Sequence, residues 1–443
     1  MTTLYKEAAR RRKELMQHME PNSIALLCAA PLATRSNDTE YPYRQNSDFY
    51  YLTGFVEHDA VLALIPGRKQ GEVVLFCQEK DKTRELWTGI LMGPEQAIKQ
   101  LGVDDAFPIG DIDDILPGLI EGRDRVYYSM GKEPKFDQRV MDWVKIVRGK
   151  ARHAHPPGEF LVLDHLLNEM RLIKSPMEIK LMEKAGAISA GAHKRAMAVC
   201  RPGLYEYHLE AELLHEFVRS GSRAPAYNNI VAAGKNACIL HYIENNAQIA
   251  DGDLILIDAG CEFDYYAADI TRTFPANGKF SKEQKALYEI CLQAQLEAIE
   301  AIKPGAPWDA PHNATVRVIT TGLVKLGLLK GDVKKLIKSE AYKDFYMHRA
   351  GHWLGIDVHD VGDYKIDDKW RLMEPGMVTT VEPGIYVSPD NRKVDKKWRG
   401  IGIRIEDDVL VTRTGYRILS QGVPKTVEEI EAFMAQARAK AVA

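Results

Sequence analysis

Hydrophobic and polar positions fall into two regimes along the chain. Between Ser23 and about Ala151, short apolar runs (Ser23–Cys28, Ala60–Pro66 and Glu72–Cys77) alternate with polar or helix-like stretches, the pattern of an α/β domain. From Ser175 the period lengthens to that of helices. Ser175 can cap, Pro176 suits the first helical position, and Glu178 can reach back to complete a capping box, so a long helix is predicted from there to about Cys200. Gly203 stops it, and Leu209, Leu213 and Phe217 mark the apolar face of another helix ending near Gly221. Strands follow, including Leu254–Asp258. Ile302-Lys-Pro-Gly305 then precedes a helical stretch ending near Gly327, as Cys200-Arg-Pro-Gly203 preceded the earlier one. This suggests a weak internal duplication in which helices are followed by strands carrying acids.

A chain of 443 residues exceeds the usual size of one domain. The breaker cluster His153-Ala-His-Pro-Pro-Gly158 sets the boundary at about residues 160–175, giving expected domains 1–170 and 171–443. The segment from Met1 to Pro21 carries charges throughout, so it predicts a surface helix and neither a signal peptide nor an anchor. No apolar run is long enough to span a membrane. With 45% hydrophobic and 27% charged residues the composition is that of a soluble globular protein. The net charge of -3 provides no basic field for nucleic acid. Six cysteines without a CxxC pair read as reduced thiols, which with the missing leader predicts a cytoplasmic protein.

Candidate chemistry concentrates in the second domain. Asp251-Gly-Asp-Leu-Ile-Leu-Ile-Asp-Ala-Gly260 ends an apolar strand in Asp258, and Asp269 follows eleven positions later, within hairpin reach. Two carboxylates desolvated together call for a cation between them, although either one alone reads equally well as a turn cap or a strand end. The stretch from His348 to Asp360 crowds His348, His352 and His359 beside Gly351 and Gly355, which points to metal binding or acid/base work. In Gly400-Ile-Gly-Ile-Arg-Ile-Glu-Asp-Asp408, period two puts Arg404 and Glu406 on the face opposite Ile401, Ile403 and Ile405. A surface ion pair is the alternative there. Of two Glu-Pro-Gly sequences, Glu374 precedes its strand, whereas Glu382 closes it on the face of Val378 and Thr380. Asp258, Asp269, His352, Glu382 and Glu406 thus form a hard, oxygen-rich set that favours Mn(II)-like ions, and four carboxylates suit two divalent ions.

In order and spacing these motifs resemble, over roughly residues 170–425, the metal-dependent "pita-bread" peptidases, a family that includes methionine aminopeptidase, prolidase and aminopeptidase P. The run Gln45-Asn-Ser-Asp-Phe-Tyr-Tyr-Leu-Thr-Gly-Phe55 looks like the extra amino-terminal domain of aminopeptidase P and prolidase. With His352-Trp-Leu-Gly355 and Gly400–Asp408, it is most similar to the bacterial aminopeptidase P group. The resemblance implies an α/β amino-terminal domain that restricts substrates and builds oligomers, followed by a pseudo-duplicated pita-bread catalytic domain. It implies release of the residue before a second-position proline by a hydroxide activated at a dinuclear centre, with prolidase, acting on dipeptides, as the alternative.

By the same resemblance Asp258, Asp269 and Glu406 hold one metal and Asp269, His352, Glu382 and Glu406 the other, with Asp269 and Glu406 bridging. Glu382 positions the hydroxide and shuttles its proton. His241 lies near the leaving side, His359 hydrogen-bonds the scissile carbonyl oxygen, and His348 lines the proline pocket. Arg404 and Tyr386 orient ligands and His359, or else serve as packing partners. Trp87 and Asp38 resemble residues that close the site from a neighbouring subunit, implying a homo-oligomer, a tetramer or dimer.

Overall fold

The computed structural model describes residues 2–150 and 154–442. The chain divides between Met170 and Arg171 into two compact units. Ala151 and His153, at the expected end of the α/β pattern and the start of the breaker cluster, lie outside the described residues.

In the first unit a six-stranded mixed sheet has the order Asp105–Pro108, Val73–Cys77, Val61–Leu64, Ser23–Cys28, Arg125–Tyr128, Glu159–Val162. Its middle strands are apolar on both faces because helices cover them: Ile24, Leu26, Val61, Ala63, Val74 and Phe76 form one cluster with Leu116 and Trp143 of two helices. The amino-terminal helix, Thr3–His18, departs from a solvated surface element. Arg11 and Arg12 are buried, Arg11 donating to the carbonyl of Tyr51 and Arg12 to those of Leu52, Leu101 and Gly102. Charge along the sequence marks a helix as exposed only when no carbonyl ends lie in reach; here the guanidiniums satisfy the last turns of two other helices.

The second unit repeats one theme. The helix Pro176–Val199, capped by the Ser175–Glu178 box, and the helix Glu206–Arg219 precede an antiparallel sheet of Ile230–Ala233, Leu254–Asp258 and Thr271–Pro275. The helices Lys282–Glu300 and Ala310–Lys325 then precede an antiparallel sheet of Val378–Val381, Asp407–Val411 and Tyr416–Ile418. The strands Gly384–Val387 and Ile401–Arg404 pair beside them. Leu209, Leu213 and Phe217 enter the same core as Ile255, Ile257, Ile403 and Ile405, while Leu256 on the other face packs with Ile230, Ala232 and Tyr386. No helix among the described residues is long and apolar enough to cross a membrane.

Candidate metal centre

Asp258 closes its strand directly opposite Thr271, so the hairpin brings Asp269 beside it. The turn is tight enough that a Cβ on Gly260 would lie 1.7 Å from the carbonyl oxygen of Ala268. The Tyr227 hydroxyl lies 2.6 Å from Oδ1 of Asp258 and 2.6 Å from Oδ1 of Asp269. Tyr227 stands far from either aspartate in sequence, and no local spacing announces it.

The histidine-rich segment forms little regular structure of its own, yet it runs along Val378–Val381 as a strand would. The Thr380 amide donates to the His352 carbonyl, the His352 amide to Thr380 Oγ1, and the Glu382 amide to the Ala350 carbonyl. Gly351 permits this approach, since a Cβ there would sit 2.0 Å from the Thr380 carbonyl oxygen. His352 Nδ1 lies 2.9 Å from its neighbour's carbonyl, so that nitrogen carries the proton and Nε2 is left to point at Asp269 Oδ2, 3.3 Å away, and at Glu382 Oε1, 3.9 Å away. Gly351→Ala is expected to push the segment off the strand, lower Tm by several degrees and cut metal retained after dialysis. A variant that keeps full metal content would show that the contact is dispensable.

Glu406 lies just past the end of Ile401–Arg404, its amide on the Thr271 carbonyl and its Oε2 accepting from Thr271 Oγ1 at 2.6 Å. Thr271 follows Asp269 at period two, a signal that could have placed it. Arg404 and Glu406 are 3% and 1% exposed, which removes the surface ion pair as an account of them. Arg404 donates to Asp258 Oδ2 at 2.6 Å and to the Tyr386 hydroxyl at 3.0 Å. That hydroxyl in turn lies 2.9 Å from His348 Nε2, while His348 Nδ1 lies 2.7 Å from the Arg349 carbonyl. The carbonyl only accepts, so Nδ1 bears the proton and Nε2 receives the tyrosine's. Burial and the Arg404 charge push His348 down to about 3, and burial with the His352 charge also lowers His359. Both are therefore neutral near pH 7. His359 stands edge-on to His352, the ring centres 4.4 Å apart.

Asp269, His352 and Glu406 offer ligand atoms all within 4.8 Å of one another, with Asp258 and Glu382 at the flanks. The electrostatics ask for cations. Burial raises Asp258 and pushes Glu382 up to about 7, and burial with the charges of Asp269, Glu382 and Asp258 raises Glu406 well above the carboxylate range. Four acids crowded around one guanidinium form a donor set that hard divalent ions fit. Asp408 supports it from behind, its Oδ2 accepting the Asp269 amide at 3.1 Å.

All five ligand candidates, together with His241, His348, His359 and Arg404, line one cavity of about 550 Å³. Tyr386 reaches it through His348 and Arg404. Trp87 and Asp38 belong to the first unit: Trp87 is 87% exposed on the helix Lys82–Thr88, and Asp38 is exposed at the turn between Thr34–Ser36 and Thr39–Glu40.

Residues 180–413 match metallopeptidase family M24, and residues 8–127 match the aminopeptidase P N-terminal domain. The chain is 49% identical to the Xaa-Pro aminopeptidase of Escherichia coli strain K12, covering 98% of each chain. The structure of Pseudomonas aeruginosa aminopeptidase PepP is 66% identical and superposes with a TM-score of 0.98, over 98% of this chain and 99% of that one. Zn-substituted E. coli aminopeptidase P in complex with product superposes with a TM-score of 0.95 at 49% identity, over 98% of this chain and 99% of that one. The mixed α/β first unit and the twice-repeated second unit, with its pita-bread fold, agree with these structures. The chain belongs to the aminopeptidase P group of metallopeptidase family M24.

Proposed function

We propose that this protein is an Xaa-Pro aminopeptidase, releasing the amino-terminal residue from peptides with proline second. The observation that carries it is the meeting in one cavity of an acid-rich ligand set with two neutral imidazoles, His348 and His359, in a chain 49% identical to a protein named for that activity. Two divalent ions, Mn(II) by the hardness of the donors, would be held by Asp258, Asp269 and Glu406 on one side and by Asp269, His352, Glu382 and Glu406 on the other. When bound, such ions polarise a carbonyl and acidify water.

The protein's own groups do the rest. Glu382, half-buried in the cavity wall, takes and returns the proton of the attacking water. His359, neutral, offers an N–H to the scissile carbonyl oxygen as charge develops on it. His348, held by Tyr386 with its Nε2 occupied, presents ring carbons and serves as a wall for proline, whose tertiary amide offers no N–H to bond. Arg404 ties Tyr386 to Asp258 and so keeps wall and ligands in register. His241 faces the leaving side.

The division at residues 170/171 carries separate roles: residues 1–170 restrict substrates and build the oligomer, and residues 171–443 catalyse. Trp87 and Asp38 close the site from a neighbouring subunit of a tetramer or dimer. The protein works in the cytoplasm on peptides, with no nucleic acid partner.

Assay of a proline-second tripeptide and of its matching dipeptide with added Mn(II) tests the substrate. The tripeptide is expected to be cleaved; hydrolysis of the dipeptide alone would make the protein a prolidase.

A further inference from the structure

His241 is exposed on an irregular segment that follows the 3-10 turn Gly234–Cys238, and Leu240 and Ile243 line the cavity on either side of it. No strand among the described residues holds this segment in place. Among the described residues the strand Ile230–Ala233 is an edge strand, pairing only with Leu254–Asp258, so its outward amides need other acceptors. Two buried side chains supply them. Asn245, in the left-handed region with φ at 47°, accepts the Val231 amide at 3.0 Å and donates to the Asn229 carbonyl at 2.9 Å. Glu206, fully buried at the start of Glu206–Arg219, accepts the Ala233 amide at 2.7 Å.

Glu206 does more than cap the edge. Its Oε1 also accepts from Asn236 Nδ2 at 3.0 Å, and its Oε2 accepts from the Tyr242 hydroxyl and the Ala247 amide, each at 2.8 Å. The Glu206 amide returns a bond to the Ala247 carbonyl. These four donors are uncharged, so a carboxylate's full acceptor capacity is spent on fixing the chain just before and just after His241. Tyr242, itself buried, is the residue next to that histidine.

We propose that Glu206, with Asn245, is a positioning residue for the reaction: it clamps the segment 236–247 to the sheet that carries Asp258 and thereby fixes His241 at the leaving side of the cavity. This rests on the function proposed above for His241. The Glu206 carboxylate touches neither substrate nor metal ligand, so the effect passes through His241.

The test uses the full chain with Mn(II), comparing Glu206→Gln and the milder Tyr242→Phe, each alone and combined with His241→Ala, on a proline-second tripeptide. Losing a buried charged acceptor is expected to lower kcat/KM about tenfold for Glu206→Gln, and losing one bond about threefold for Tyr242→Phe. Neither should lower it further once His241 is gone, whereas the losses in Tm should be the same in both backgrounds. Equal fold-losses of kcat/KM with and without His241 would overturn the inference, as would no loss in the single variants. Should Glu206→Gln fail to fold, Tyr242→Phe decides. A wild-type protein that cleaves no such peptide would refute the functional proposal instead, and the crystal structure of Tyr242→Phe then decides this one: a His241 unmoved from its wild-type place overturns it.

Discussion

Glutamine in place of Glu382 is expected to lower kcat by about 10³-fold while leaving the fold and the Tm of the metal-free protein intact, because general acid–base transfer by one positioned group contributes on that order. The substitution preserves shape. Glutamine keeps the amide bond to Ala350 and an oxygen facing the cavity, but it has no lone-pair site basic enough to take a proton from water. Stability of the metal-free protein should not suffer, since burial there already disfavours the charge on Glu382. Asp269, His352 and Glu406 remain as a cluster in the variant, so metal analysis should still find divalent ion bound. Steady-state kinetics with matched metal content separate the outcomes. A variant that retains turnover would remove Glu382 as the proton carrier, and one that loses both turnover and all metal would make it a ligand first.

How much of this was legible in the sequence follows the range of each interaction. The Ser175–Glu178 capping box and the strand Leu254–Asp258 stand where local patterns put them, because caps and alternation act within a few residues. Arg404 and Glu406 were placed on one face by period two, and that face is the cavity wall. Tyr227 was invisible: its bonds cross 31 and 42 residues, and a tyrosine among asparagines carries no periodic signal. At Gly260 and Gly351 it is the approach of the Ala268 and Thr380 carbonyls that shows what a Cβ would meet. Arg11 and Arg12 were read as solvated because charge usually is, while their partners are carbonyls that every sequence has and none displays. Glu206 shares this fate, since its four donors come from three separate segments.

Stripping the metal should lower Tm by about 10 °C at pH 8, because an ion held at about a thousandfold over its Kd adds about 4 kcal/mol to the folded state alone and each kcal/mol moves Tm by about 2–4 °C in a unit of this size. The pH dependence of that gap identifies the cluster. Glu382 is raised from 4.5 to about 7 by burial, so the stability its protonation contributes is complete below 4.5 and lost as pH rises through 7. His352, raised from 6.5 to about 9 against burial by its bond to Asp269, contributes in full below 6.5 and loses that contribution as pH rises through 9. Both push one way: the chelated protein becomes less stable from pH 6 to 9. Bound ions keep the acids ionised and His352 neutral across that range, so the loaded protein lacks this slope. His193 and His312, held near 4 by burial, titrate alike in both forms and cancel in the difference. The Tm gap between loaded and chelated protein, followed by calorimetry, should therefore widen steadily from pH 6 to 9. A gap that stays constant over those three pH units would mean that the four acids and His352 do not titrate as one metal-binding cluster.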